Sequence, residues 1–325
     1  MRVLITGIAG FVGSHLTEWL LARGHTVFGT VLPGESLANL DPGSEQMTLL
    51  PCDITRREQV AQAVGACEPE QIYHLAAQAS VGESFARPDL TMDVNVKGTV
   101  NLLEAARAQP VPPRTVVVTS AEVYGDLSEA DLPAKETTRF APAHPYAASK
   151  VAVHFLGQVY WRTYGVPVLE ARPFNHIGPR QRPGFVVPDF ARQVAAIRLG
   201  QQAPVMHVGN LSPRRDFTDV RDVVRAYQVL ADLGEAGAVY HICSEHAVGV
   251  SQVLEMLLDL CDCSVRVETD AYRLRPAKMP VLLGSAERLR ALGWAPSIPL
   301  AQSLRDTLAY WEQALHVEGA GSTAA

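Results

Sequence analysis

The chain has 325 residues, 47% of them hydrophobic and 19% charged, with a formal net charge of -6. That length predicts one large domain beside a smaller one, and the composition is that of a globular protein. The negative balance excludes a general nucleic-acid binder but leaves room for a local basic pocket around a phosphate. The five cysteines, Cys52, Cys67, Cys243, Cys261 and Cys263, are odd in number and lack framework spacing, so reduced thiols in a cytoplasmic protein are expected. Cys261 and Cys263 would be half a metal site, but no second pair accompanies them and no metal is expected. The apolar run Val3–Ile5 passes directly into glycines, so no secretory leader is expected. A run of ~18 apolar residues is lacking, so no membrane span is expected either. The small, polar tail 317–325 is expected to fray.

Strands are predicted at Arg2–Thr6, Thr26–Val31, Met47–Cys52, Gln71–Leu75, Thr115–Ser120 and Val166–Arg172. Helices fit between them, among them Phe11–Ala22, Pro88–Ala108 and Tyr146–Tyr164. Strict alternation implies a parallel sheet with helices on both faces, and runs such as TVVVTS suit strands buried on both sides. After Arg172 prolines and glycines multiply and the alternation lapses, although Asp219–Leu233 reads as a helix and Val239–Ile242 as a strand. The predicted fold class is α/β: a Rossmann-type doubly wound parallel sheet with a smaller C-terminal α/β domain. The first domain is expected to span 1–172, with 216–243 returning to it, and the second 173–215 and 244–316.

The first predicted strand runs into TGIAGFVGSHL, which sets Gly7, Gly10 and Gly13 between a strand and a helix. Gly7 allows a tight turn, Gly10 lets backbone N–H groups approach a pyrophosphate, and Gly13 lets the helix pack close to the sheet. The helix N-terminus adds partial positive charge there. An acid at the end of the second strand would favour NAD, an arginine NADP. Thr30, Val31 and Leu32 stand there instead; the choice of NADP(H) or NAD(H) stays open, and the missing acid tilts it toward NADP(H). Asp53 can meet the adenine or serve as a helix N-cap with Thr55 close by.

Ser120 is placed at the end of the fifth strand, facing the ligand crevice of an open α/β sheet. YAASK supplies Tyr146 and Lys150, four apart on one helical face. A nearby ammonium is expected to lower the phenol pKa, so that Tyr146 exchanges a proton with a carbonyl or hydroxyl oxygen which Ser120 holds in place. Asn95, in VNVKGT, shapes either the site or a helix.

Together TGIAGFVG, HLAA, VNVKGT, TSAEVYG, YAASK and RPFNHIGPRQ resemble the extended short-chain dehydrogenase/reductase family, over nearly the whole chain. The resemblance implies a dinucleotide contacting Gly7, Gly10, Phe11, Val12, Gly13, Asp53, Ile54, Leu75, Ala76, Ala77, Asn95, Tyr146, Lys150 and Arg172. It also implies a nucleotide-diphosphate sugar in the C-terminal domain. RPFNHIGPRQRPGFVVPDFARQ and GNLSPRRDFTDVRDVVRAY are most similar to the enzymes of GDP-deoxyhexose synthesis. By that likeness Asn175, Arg215 and Arg275 would bind the diphosphate, and Val187 and Pro188 would line the base or sugar pocket. Arginine forks suit phosphate oxygens, but Arg215 could instead pair with Asp216 or Asp219. His176 reads as a supporting residue or a core histidine.

The implied reaction is reduction of the C4 keto group of a GDP-4-keto-6-deoxyhexose, giving a product such as GDP-rhamnose. The alternative is 4,6-dehydration of GDP-mannose or a related epimerisation or dehydration. Glu122 stands where the dehydratases carry a glutamate base, but the neighbouring acid or hydroxyl is Ala121, and alanine donates no proton. A third reading, a non-catalytic dinucleotide sensor, fits poorly with retained Tyr146 and Lys150. Lys278 departs from the acid often found there in the reductases. The resemblance further implies a homodimer, paired through the helices 88–108 and 146–164.

Overall fold

The computed structural model describes residues 1–41, 43–261, 263–270 and 279–322. β1 (Arg2–Thr6), α1 (Phe11–Leu21), β2 (Thr26–Val31), β3 (Met47–Pro51), α2 (Arg57–Cys67) and β4 (Gln71–His74) come first. α3 (Val81–Ala86), α4 (Pro88–Met92), a π-helical turn (Asp93–Lys97) and α5 (Gly98–Arg107) lead to β5 (Arg114–Val118). A 3-10 turn (Ala121–Tyr124), α6 (Pro145–Tyr164) and β6 (Val168–Pro173) follow. Then come β7 (Asn175–Ile177), α7 (Val186–Arg198), β8 (Val205–Val208), β9 (Arg214–Asp219), α8 (Val220–Leu233) and β10 (Val239–Ile242). The chain closes with β11 (Ala247–Gly249), α9 (Val250–Leu258), β12 (Arg266–Thr269), β13 (Val281–Leu282), α10 (Glu287–Arg290) and α11 (Leu300–Ser322).

Seven strands form one parallel sheet in the order β10-β6-β5-β4-β1-β2-β3. Successive side chains of β1 show why its sequence is apolar throughout. Val3 and Ile5 enter the core beneath α1 and α8, whereas Leu4 enters the opposite core beneath α2 and α5. The strand order reverses between β1 and β4, which opens a crevice at the C-terminal ends of the strands. A third core, built on α7, α9 and α11, lies in the C-terminal part. There β9 pairs with β7, β11 and β13 in a small mixed sheet, and β8 pairs with β12. Among the described residues no helix is long and apolar enough to cross a membrane.

Two predicted elements differ. The helix expected over Pro88–Ala108 is broken by the π turn, which brings Asn95 against the backbone of Gln78. The fifth strand ends at Val118 rather than Ser120, so Ser120 leaves the sheet and opens the 3-10 turn.

Candidate active site

The glycine turn fits a dinucleotide pyrophosphate. Gly7 has φ +71, and a Cβ there would lie 3.0 Å from the Ala76 Cα. A Cβ on Gly13 would lie 2.3 Å from the Gly7 carbonyl oxygen, so helix and turn touch backbone to backbone. α1 begins with no side-chain cap and no acid in its first turn, which leaves its N-terminal N–H groups open to an anion. Phe11, in that first turn, stacks on His176 at 5.9 Å, tying the turn to the C-terminal part. Val12 packs against the core beneath α1, and Ile54 is buried in the opposite core. The N–H groups of Leu75 and Ala76 both donate to Thr6 Oγ1 at 3.1 Å, and Ala77 follows half-buried at the strand end. Asp53 forms the turn: its Oδ1 accepts from the N–H and the hydroxyl of Thr55 at 2.9 and 2.8 Å.

Ser120 Oγ accepts from the Glu122 N–H at 3.2 Å, and Ser120 lies close enough to Tyr146 to favour its phenolate. Lys150 Nζ donates to the Val118 carbonyl at 2.8 Å and lies 5.8 Å from the centre of the Tyr146 ring. The expected lowering of the phenol pKa is not what this arrangement gives. Burial raises Tyr146 to about 12, opposed by the Ser120 hydrogen bond and reinforced by the Glu122 charge. Burial likewise lowers Lys150 to about 8, with Glu170 opposing. The physical reason is that both groups are buried and the ammonium is directed at a carbonyl.

His144 was not anticipated. Its Nδ1 accepts from the Ala147 N–H at 3.1 Å, capping α6, so the neutral ring carries its proton on Nε2. That Nε2 lies 3.1 Å from Glu122 Oε2, and the ring stacks on Tyr146 at 6.1 Å. His144 thus bridges the turn carrying Ser120 to the helix carrying Tyr146 and Lys150. Its polar character beside Pro145 signals a cap; nothing in the sequence signals the bond to Glu122.

Four expected contacts are corrected. Arg172 has no exposure, so it faces no cofactor. Its Nε and Nη2 donate to Glu170 Oε1 at 2.9 and 2.6 Å and its Nη1 to the Tyr124 hydroxyl at 2.6 Å. Asn95 is 1% exposed, with Oδ1 accepting from Gln78 N and Nδ2 donating to Gln78 O and Ser149 Oγ. It braces the strand end rather than touching a ligand. Val187, at 1% exposure, and Pro188 are buried on α7, and Val187 packs in the third core, not on a cleft.

On the substrate side, Asn175 Oδ1 is buried with no partner among the described residues. Among the described residues Arg215 donates only to the Arg214 carbonyl, at 2.9 Å. The carboxylates it could have paired with are engaged elsewhere: Asp216 with Ser244 and the Glu245 N–H, and Asp219 with Arg221. Burial lowers the Arg215 pKa, opposed by the negative charge of Glu122 on the turn that carries Ser120. His176 is half-buried and stacks on Phe11, its Nδ1 3.2 Å from the Phe174 carbonyl. Arg275 and Lys278 lie outside the described residues.

A family model described as GDP-mannose 4,6 dehydratase matches residues 4–307. The chain is 37% identical to the GDP-6-deoxy-D-mannose reductase of Pseudomonas aeruginosa, over 98% of this chain and 99% of that protein. It is 32% identical to GDP-mannose 4,6 dehydratase 2 of Arabidopsis thaliana, over 91% and 82%. Among solved structures, RMD from Pseudomonas aeruginosa complexed with NADPH superposes with a TM-score of 0.84 at 36% identity, covering 97% of this chain and 100% of that one. Thermus thermophilus UDP-glucose 4-epimerase in complex with NAD superposes at 0.86 with 31% identity, again over 97% and 100%.

Proposed function

The chain belongs to the GDP-mannose 4,6-dehydratase family, and on that premise we propose that it reduces the C4 keto group of a GDP-4-keto-6-deoxyhexose. The observation that carries the reading is the buried Tyr146 beside Lys150, with the buried Ala121 methyl where a second acid would have to stand. It is supported by the likeness to the Pseudomonas aeruginosa reductase.

The dinucleotide, NAD(H) or NADP(H), supplies the hydride when bound; Gly7, Gly10 and Gly13 and the start of α1 would hold its pyrophosphate. Arg215 and the Asn175 side-chain N–H group hold the sugar-nucleotide diphosphate, which gives the guanidinium the anion it lacks among the described residues, and the unpartnered Asn175 Oδ1 is left to accept from a hydroxyl of the bound nucleotide sugar. Ser120 orients the C4 oxygen and Tyr146 delivers the proton to it. A phenol at about 12 keeps that proton at neutral pH, as an acid requires. Lys150 stabilises the phenolate left behind. Fixing the reacting groups in register supplies much of the rate.

The test is oxidation of NADH or NADPH by the purified protein when GDP-4-keto-6-deoxymannose is added; no oxidation with either sinks the reading. Glu122, oriented by His144, favours a second reading, dehydration of GDP-mannose. Conversion of GDP-mannose to the keto sugar with no net use of dinucleotide would establish it.

We also infer a homodimer paired through α4–α5 and α6. Phe85, Met92, Phe155 and Val159 expose apolar side chains on this side of the sheet. Light scattering that returned a single-chain mass at micromolar concentration would overturn it.

A further inference from the structure

We propose that Glu35 makes this protein selective for NAD(H) over NADP(H). The inference rests on the dinucleotide-binding reading and adds the choice of dinucleotide.

The end of β2 is tied to the glycine turn: the Gly7 N–H donates to Thr30 Oγ1 at 3.3 Å and the Ile8 N–H to the Thr30 carbonyl at 3.3 Å. The adenosine ribose of a dinucleotide on that turn lies beside this strand end. The strand itself offers neither acid nor arginine there. The loop beyond it does. Glu35 folds back so that its Oε2 accepts from the Leu32 N–H at 3.0 Å, while its own N–H donates to the Leu32 carbonyl at 3.0 Å. Asn39 then anchors the loop over the turn, donating from Nδ2 to the Ala9 carbonyl at 3.1 Å, and Leu40 is buried. The carboxylate therefore sits on the first backbone N–H past β2, on a loop pinned to the phosphate cradle.

Two consequences follow from its chemistry. An ionised carboxylate only accepts hydrogen bonds, and among the described residues its Oε1 accepts none, so it is open to the two ribose hydroxyls of NAD. A 2′-phosphate, by contrast, carries close to two negative charges and needs donors. Here the Leu32 N–H it would use is occupied by a carboxylate that repels it. Nor does a cation compensate. No lysine or arginine occurs from Gly24 to Thr55, while Glu35, Asp41, Glu45 and Asp53 do. The next two arginines point outward, Arg56 beside Asp53 at 3.9 Å and Arg57 beside Glu104 at 3.7 Å. The Pseudomonas aeruginosa structure is a complex with NADPH, so at this position the present chain is expected to part from that relative.

The experiment is a titration of the purified full chain with NADH and with NADPH, read by the fluorescence of the reduced nicotinamide and without any sugar nucleotide. NADH is expected to bind at least about tenfold more tightly at low salt, with the gap narrowing as salt screens the carboxylate. Glu35→Gln is expected to shrink the gap several-fold, because the amide no longer repels a 2′-phosphate. Glu35→Arg is expected to invert the preference. Equal or tighter binding of NADPH to the parent overturns the proposal, and so does a Glu35→Gln variant with an unchanged ratio. Failure of the keto-sugar assay leaves this result standing. Failure of either dinucleotide to bind sinks the dinucleotide reading and this proposal together.

Discussion

Two buried polar clusters lie one helical turn apart on α6, and their contrast separates what this protein does from what keeps it folded. Around Glu170 every charge is matched. Its Oε1 accepts from the Thr119 hydroxyl and from Arg172, its Oε2 accepts from His154, and Tyr124 completes the arginine's contacts. Around Tyr146 the matching is incomplete. Lys150 has one carbonyl, Tyr146 has Ser120, and Arg215 has no carboxylate among the described residues. Burial therefore displaces the titration of Tyr146 and Lys150 in the directions that hold each neutral. A saturated buried cluster fixes a fold; an under-matched one is where a ligand completes the set.

Removing one atom from the under-matched cluster should cost catalysis alone. Tyr146→Phe is expected to lower kcat by roughly a thousandfold, about 4 kcal/mol of transition-state stabilisation, with dinucleotide affinity and thermal midpoint unchanged. Loss of dinucleotide binding in this variant would mean that Tyr146 belongs with the structural cluster. The reverse substitution is Arg172→Leu. It leaves Glu170 buried without its cation, and about 3 kcal/mol of unfolding free energy should disappear in a urea titration. A variant as stable as the parent would show that the matched cluster is not what holds α6 to the sheet.

His144 belongs to both sides, since one ring nitrogen caps α6 and the other holds Glu122. Asparagine also caps but is too short to reach Glu122. His144→Asn is therefore expected to keep the thermal midpoint and to lower kcat about tenfold, roughly 1.4 kcal/mol. A double-mutant cycle with Glu122→Ala checks the assignment, because disruption of one shared contact gives effects that do not add. Additive losses would leave His144 as a cap and nothing more.

The sequence makes one cluster legible and hides the other. Ser120, Tyr146 and Lys150 announce themselves because a glycine turn, a strand end and a four-residue helical spacing each carry a local signature. The seven-stranded sheet is legible for the same reason, through apolar runs such as that in β1. Arg172 misleads, because the resemblance makes it a dinucleotide contact whereas Glu170 and Tyr124 enclose it. The bond from His144 to Glu122 spans 22 residues, and that from Thr119 to Glu170 spans 51, distances over which no periodicity speaks. Val187 shows the same limit, because which side of α7 meets the third core depends on partners far along the chain. Glu35 escapes because the acid expected at the end of β2 arrives four residues later, brought back by a turn.

The smallest effect tests whether Lys150 belongs to the under-matched side at all. Burial holds its folded pKa at about 8, below the ordinary 10.5, with Glu170 opposing. Below about pH 8 both folded and unfolded chains carry the proton, and the fold bears the full cost of a buried ammonium. Between about 8 and 10.5 the unfolded chain binds the proton while the folded chain does not, so stability rises with pH, by roughly 1 kcal/mol per unit. Lys150→Met removes that dependence and keeps the volume. Urea titrations of parent and variant at about pH 7.5 and about pH 9 should show the parent gaining roughly 1 kcal/mol on the variant. A constant difference would mean that Glu170 keeps the ammonium charged throughout. Lys150 would then be an outlying member of the matched cluster, and the boundary between the two would run between Tyr146 and Lys150.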